Sequence, residues 1–180
     1  PYTTLFRSMA ASPLAEKLPH FAAKAKRVIF LCMQGGPSHV DTFDYKPELI
    51  RRAGKPFDPD GKMQFFASKP GNCQPGWWPF HQYGQSGRWM SDLFPKLATH
   101  VDDLAFIYSM QSKTALHGPG CFMMNTGQTL PGFPSMGSWI VYGLGSENQD
   151  LPGYITINPP PNFGGAVNYG SAFLPAHFQG

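Results

Sequence analysis

The densest set of chemistry-bearing side chains follows an apolar run. Residues 27–33 (RVIFLCM) lead into Gln34-Gly35-Gly36-Pro37-Ser38-His39-Val40-Asp41-Thr42-Phe43-Asp44. Adjacent glycines let backbone N–H groups turn toward an anion. Gln34, Ser38, His39, Asp41 and Asp44 add an amide, a hydroxyl, an imidazole and two carboxylates. Imidazole with carboxylate is a ligand set for zinc, and carboxylates suit magnesium, calcium or manganese. A lone Gly-Gly-Pro-Ser is turn chemistry, and a single histidine is more often a loop residue than a ligand. Position makes the segment a candidate site, because open α/β sheets bind ligands beyond the carboxyl ends of their strands.

A second locus runs from Ser109 to Gly127 and contains His117-Gly118-Pro119-Gly120-Cys121-Phe122-Met123-Met124-Asn125-Thr126-Gly127. His117 falls near a helix N-terminus, where the positive dipole end favours anions and neutral imidazole. Cys121 reads as a packed apolar residue, since nothing basic beside it would lower its pKa. Asp102-Asp103 reads as a polar turn, and Asp58-Pro59-Asp60-Gly61 as a turn without the rest of a calcium loop. His81 and His100 have no partners by spacing. No Walker A, GxSxG or HExxH pattern occurs.

The elements that would carry these loci follow from punctuation. Short runs apolar on both faces suit strands buried in a parallel sheet; 27–33, 104–109 (LAFIYS) and 154–158 (YITIN) are such runs. Residues 47–53 predict a short helix with proline in its first turn and Gly54 beyond its end. Ser91 is positioned as the N-cap of a helix over 92–101 with Pro95 in its first turn. Residues 119–126 predict a helix closed by Gly127, and Ser135 caps another that runs to Gly145. Strand, helix, strand, helices, strand is the order of an α/β sheet with parallel neighbours. Between Lys55 and Trp89 no period is visible. Phe57, Phe65, Phe66, Trp77, Trp78, Phe80, Tyr83 and Trp89 stand there among Pro, Gly and Gln, and a long irregular stretch of this kind is usually functional.

Composition narrows the classes. Of 180 residues, 20 are glycine and 19 proline, nearly twice their usual combined share of about 12%. Charged residues make up 14%, hydrophobic ones 42% and aromatic ones 14%. That excludes a coiled coil and a polyelectrolyte and predicts a loop-rich globular chain. The net charge of +3 is scattered, without the basic stripe of a nucleic-acid binder. Three cysteines, Cys32, Cys73 and Cys121, share no CxxC spacing and predict neither a disulfide framework nor a thiolate zinc site. No apolar run reaches the ~18 residues of a membrane span, and no signal peptide is visible.

Pro1–Ser8 reads as the in-frame translation of the end of a short-read sequencing adapter and is set apart from the fold. Residues 9–26 are then an extended lead-in, and 27–180 the N-terminal part of one domain. The chain is expected to be a metagenomic fragment.

Several strings are long and specific: Pro19-His20-Phe21, VIFLCMQGGPSHVDTFDYKPEL over 28–49, Gly87-Arg88-Trp89-Met90-Ser91, Met124-Asn125-Thr126-Gly127, Pro134-Ser135-Met136-Gly137-Ser138-Trp139 and Tyr142-Gly143-Leu144-Gly145. With them the chain resembles the sulfatase-like domain-of-unknown-function family number fifteen hundred and one, of the alkaline-phosphatase-like superfamily. The resemblance implies a partial doubly wound, mainly parallel sheet flanked by helices. It implies a metal-dependent hydrolase of sulfate or phosphate esters on small molecules or polysaccharides, using zinc, calcium, magnesium or manganese. It also implies an exported or periplasmic protein without nucleic-acid partners. By this resemblance Gln34 stands where relatives carry an acidic metal ligand, with Asp41 or His39 as its substitute. His117, nine residues before Thr126, stands where sulfatases carry a Cys or Ser nucleophile. Ser38 is the other catalytic candidate, and Gly35, Gly36 and Thr126 are candidates for holding the ester. The alternative is a non-catalytic exported member of the same fold that stacks sugars on Trp77, Trp78 and Trp89.

Overall fold

The computed structural model describes residues 12–33, 35–65, 68–159 and 161–180. They form two compact units, one of Met33–Gln111 and one of the chain up to Cys32 together with Ser112–Gly180.

In the Met33–Gln111 unit, α1 (Pro47–Arg51) begins with proline at its first position, where no backbone donor is lost. It ends at Arg51 with Arg52 as its C-cap, two residues short of the expected 47–53, and Gly54, at φ 76°, takes the turn beyond it. There the chain turns back so that the Gly54 N–H donates to the Cys73 carbonyl (2.9 Å) and the Cys73 N–H to that of Lys55 (2.8 Å). The strands β1 (Phe80–Tyr83) and β2 (Arg88–Ser91) pair antiparallel, with Phe80 opposite Ser91 and Tyr83 opposite Arg88. Gly84 and Gly87 in the connecting turn take φ of 65° and 61°, a region that costs glycine nothing. Gly84 has a second constraint: a Cβ there would lie 2.5 Å from both carboxylate oxygens of Asp102.

Those oxygens accept the backbone N–H groups of Gln85 (2.7 Å) and Ser86 (2.9 Å). Next to Asp102 in sequence, Val101 is fully buried and packs with Met90 of β2 and Ala98 of α2 (Pro95–Ala98). Phe43, Tyr83, Phe94 and Phe106 close this small core, with Phe43 and Phe94 stacked at 5.5 Å. The helix expected over 92–101 is thus only α2, followed by a 3-10 turn at Val101–Asp103. Ser91 does not cap it. Its Oγ accepts the Leu93 N–H at 3.3 Å, a local turn that postpones the helix to Pro95.

The other unit holds α3 (His117–Thr126) and α4 (Met136–Leu144). As the punctuation predicts, Gly127 at φ 78° closes α3, and the Ser135 hydroxyl accepts the Ser138 N–H to cap α4. Tyr154 seals that end: its hydroxyl lies 3.1 Å from the Oγ of both Ser135 and Ser138, and a Cβ on Gly137 would fall 2.5 Å from its ring. The lead-in is tied to the far end of α4, where Lys17 N–H donates to Leu144 and Ser146 N–H to Leu14, both at 2.9 Å.

The expected doubly wound parallel sheet is not what the chain forms. Among the described residues the sheet is the two-stranded antiparallel β1–β2 ribbon, with one further bridge between Pro56 and Asn72. Residues 27–33, 104–109 and 154–158 are irregular, and Ile29, Ile107 and Ile157 are 84%, 70% and 87% exposed. An apolar run records a need for burial. It becomes a strand only when a neighbouring strand supplies hydrogen-bond partners, and these runs meet none among the described residues. Backbone amides of 28–32 and 105–107 are accordingly expected to exchange with deuterium at close to the rate of an unstructured peptide, while those of β2 and α4 are protected. Protection at 28–32 equal to that of β2 would contradict this.

The turn held by Asp102 has a pH signature. A bond from the Ser86 hydroxyl, then the Gln85 and Ser86 N–H groups, hold the Asp102 carboxyl below its ordinary value. A depressed folded-state pKa stabilises fully above the unfolded value of about 3.9 and loses that contribution as pH falls through the folded value. Thermal scans from pH 6 to pH 3 should therefore show a steeper loss of Tm for the native protein than for Asp102→Asn. Parallel curves would remove Asp102 from this role.

Candidate functional site

Ser38, His39 and Asp41 lie on one short 3-10 turn, His39–Asp41, with Ser38 at its head. Gly35 and Gly36 precede it at φ of 88° and 72°; Gln34 lies outside the described residues. The turn is fastened by Thr42, which is buried and donates its hydroxyl to the Ser38 carbonyl at 2.9 Å. The Thr42 carbonyl in turn accepts the Ser91 N–H of β2 at 3.1 Å. His39 is exposed, and Asp41 lies against the backbone of Gly76, where a Cβ would come within 2.8 Å of its Oδ1. Asp44 is paired with Lys46 at 2.8 Å. Among the described residues no three His, Cys, Asp or Glu side chains gather closely enough to hold a metal ion.

His117 and Thr126 belong to the other unit, at the two ends of α3. The His117 ring packs against Phe163 with centroids 5.2 Å apart. Thr126 donates its hydroxyl to the Phe122 carbonyl one turn back (2.8 Å), the usual resting place of a helical threonine. It borders a cleft of about 550 Å³ whose other walls include Met123, Met136, Trp139 and Ile140, an apolar setting without a cation for an ester anion. Cys121 is buried, as expected of a packing residue. Cys32 is exposed, and partial burial followed by the nearby Cys121 pushes its thiol above the ordinary value, the opposite of an activated nucleophile.

The aromatic side chains of Met33–Gln111 form the better-defined concavities. One cleft, of about 310 Å³, is walled by Val40, Tyr45, Ile50, Trp77 and Trp78 and floored by Gly76. Asp41 therefore stands beside it. A second cleft, of about 460 Å³, takes in Asp44, Tyr45, Arg88, Trp89 and Tyr108. Tyr45 borders both. Its ring stacks on Trp89 at 4.3 Å and 26°, and tilts against Phe80 at 5.3 Å. Trp77 remains 78% exposed, and Trp78 and Trp89 about two-fifths, so each ring keeps a face for another molecule.

Sequence reasoning misses the hairpin, and with it two groups. His81 has a partner after all: its Nε2 lies 3.1 Å from Asp92 Oδ2, while Tyr83 donates to Asp92 Oδ1 at 2.9 Å. That bond, more than burial, pushes the Tyr83 hydroxyl above its ordinary pKa. Arg88 is the second group. The available signal was Gly84 and Gly87 three residues apart between Phe80–Tyr83 and Arg88–Ser91, a loop whose glycines allow positive φ.

No curated protein and no solved structure matches the chain. One family model does, described as "Protein of unknown function (DUF1501)", over residues 25–180. Covering both the Ser38–Asp41 turn and the aromatic clefts, that match places the chain in the DUF1501 family.

Proposed function

We propose that this protein is an exported carbohydrate-recognising member of its family, with polysaccharide as its ligand. The observation that carries the reading is the pair of clefts meeting at Tyr45, each offering an exposed tryptophan face next to a carboxylate or a cation. A pyranose has an apolar C–H face that packs on an aromatic ring and a rim of hydroxyls that needs hydrogen-bond partners. Sites of this kind are concave and mostly aromatic, with a few placed polar groups. Asp41 supplies an acceptor beside Trp77 and Trp78, and Lys46 a donor on the same cleft. Rigid aromatic rings give this contact area at little entropic cost. Trp78→Ala should weaken binding to a polysaccharide panel about tenfold, equivalent to ~1.4 kcal/mol, with Tm within a few degrees of native. Undiminished binding by that variant in titration calorimetry would overturn the reading.

A second reading, metal-assisted hydrolysis of sulfate or phosphate esters on the same polysaccharides, is favoured by one observation. Gly35 and Gly36 take consecutive left-handed conformations immediately before Ser38, His39 and Asp41, so that backbone N–H groups are available to an ester anion. In this reading His39 and Asp41 are metal ligands together with Gln34, and Ser38, at the head of the same turn, carries the chemistry. Of these three ligands the structure describes His39 and Asp41, and two described donors fall short of the three or four that a zinc site takes, so no reaction step is assigned to the metal. The reading requires that purified protein carry a stoichiometric divalent cation by elemental analysis and that Asp41→Ala lose it. Equal metal content in the two proteins would sink it.

A further inference from the structure

We infer that the cleft at Arg88 makes the protein selective for saccharides bearing an anionic group, a sulfate half-ester or a carboxylate. The inference rests on the carbohydrate reading and adds a charge preference to it. Arg88 opens β2 and lies over the ring of Phe106, its Cζ 5.2 Å from the centroid. A cation–π contact of this kind uses none of the guanidinium's N–H donors. No carboxylate lies within ion-pair distance of it among the described residues. The two nearby acids are occupied elsewhere. Asp44 pairs with Lys46 at 2.8 Å, and Asp102 takes the N–H groups of Gln85 and Ser86.

An arginine with no carboxylate at ion-pair distance among the described residues, set in a cleft of about 460 Å³, is a receptor for a planar or trigonal oxyanion, which it meets with two parallel N–H bonds. The neighbouring wall sets the rest of the ligand. Trp89, stacked on Tyr45, lines the same cleft and supplies an aromatic wall for the sugar. Tyr108, half-exposed and stacked on Phe106 at 5.7 Å, closes the far side. An acidic peptide would satisfy the guanidinium as well, but would leave the Trp89 face without a matching ring.

The test compares native protein, Arg88→Gln and Trp78→Ala on dextran, dextran sulfate and polygalacturonate by titration calorimetry, with Tm as the check on folding. Native protein should prefer the charged polymers over dextran by about tenfold, the scale of one charge-assisted bidentate contact. That preference should shrink as salt screens an exposed site. Arg88→Gln should bring the ratio of charged to neutral polymer affinity to about one. Trp78→Ala should instead lower affinity for all three and keep the ratio. Loss confined to dextran sulfate identifies a sulfate site, and loss confined to polygalacturonate a carboxylate site. A ratio unchanged in Arg88→Gln, or equal binding of charged and neutral polymers by native protein, overturns the inference and leaves the carbohydrate reading standing. Failure of native protein to bind any of the three overturns both.

Discussion

The carboxylate of Asp102 accepts the backbone N–H groups of Gln85 and Ser86 at 2.7 and 2.9 Å, and the turn that it holds delivers Arg88 and Trp89 to the cleft. The constraint acts from both directions. On one side Val101 is buried with Met90 and Ala98, which fixes where Asp102 begins. On the other, Gly84 takes a positive φ and leaves no room for a side chain against the carboxylate. Without the Asp102 anchor the hairpin would be a two-stranded ribbon, which is marginal in water by itself.

The rest of the Met33–Gln111 unit is arranged around that hairpin by similarly local means. The Thr42 carbonyl receives the Ser91 N–H, so the Ser38–Asp41 turn is registered against β2 by one backbone bond. Phe43, Phe94 and Phe106 pack on the same small core, and Tyr45, two residues from Phe43, lies between the two clefts. A core of three fully buried side chains is small for this length of chain. Ring-on-ring contacts and buried hydroxyl networks supply much of the remaining order. In the other unit, Tyr154 between Ser135 and Ser138 has the same role. Buried polar groups of this kind cost free energy unless each finds a partner, and these hydroxyls do.

How much of this was legible in the sequence depended on the range of the signal. Ser135, Gly127, Gly145 and Pro47 mark helix ends correctly because capping is decided within four or five residues. Family membership was legible for the same reason, as contiguous strings. The three apolar runs expected to be strands failed because strand formation depends on distant partners that composition does not name. Of the candidate residues, Ser38, His39 and Asp41 share one turn because they are close in sequence, and His117 and Thr126 stand at the two ends of α3.

By itself, then, the sequence determined the loop-rich character, the caps at Ser135, Gly127 and Gly145, the family and the aromatic stock of residues 55–89. Local chemistry carries all four, since glycine, proline and capping hydroxyls act on the backbone next to them. Only the tertiary structure decided that Asp102 holds the Gly84–Gly87 turn, that His81 and Tyr83 share Asp92, and that Tyr45 stacks on Trp89. Those partners lie 9 to 44 residues apart. A side chain's type says what contact it needs, and only the closed chain says which other residue is near enough to make it.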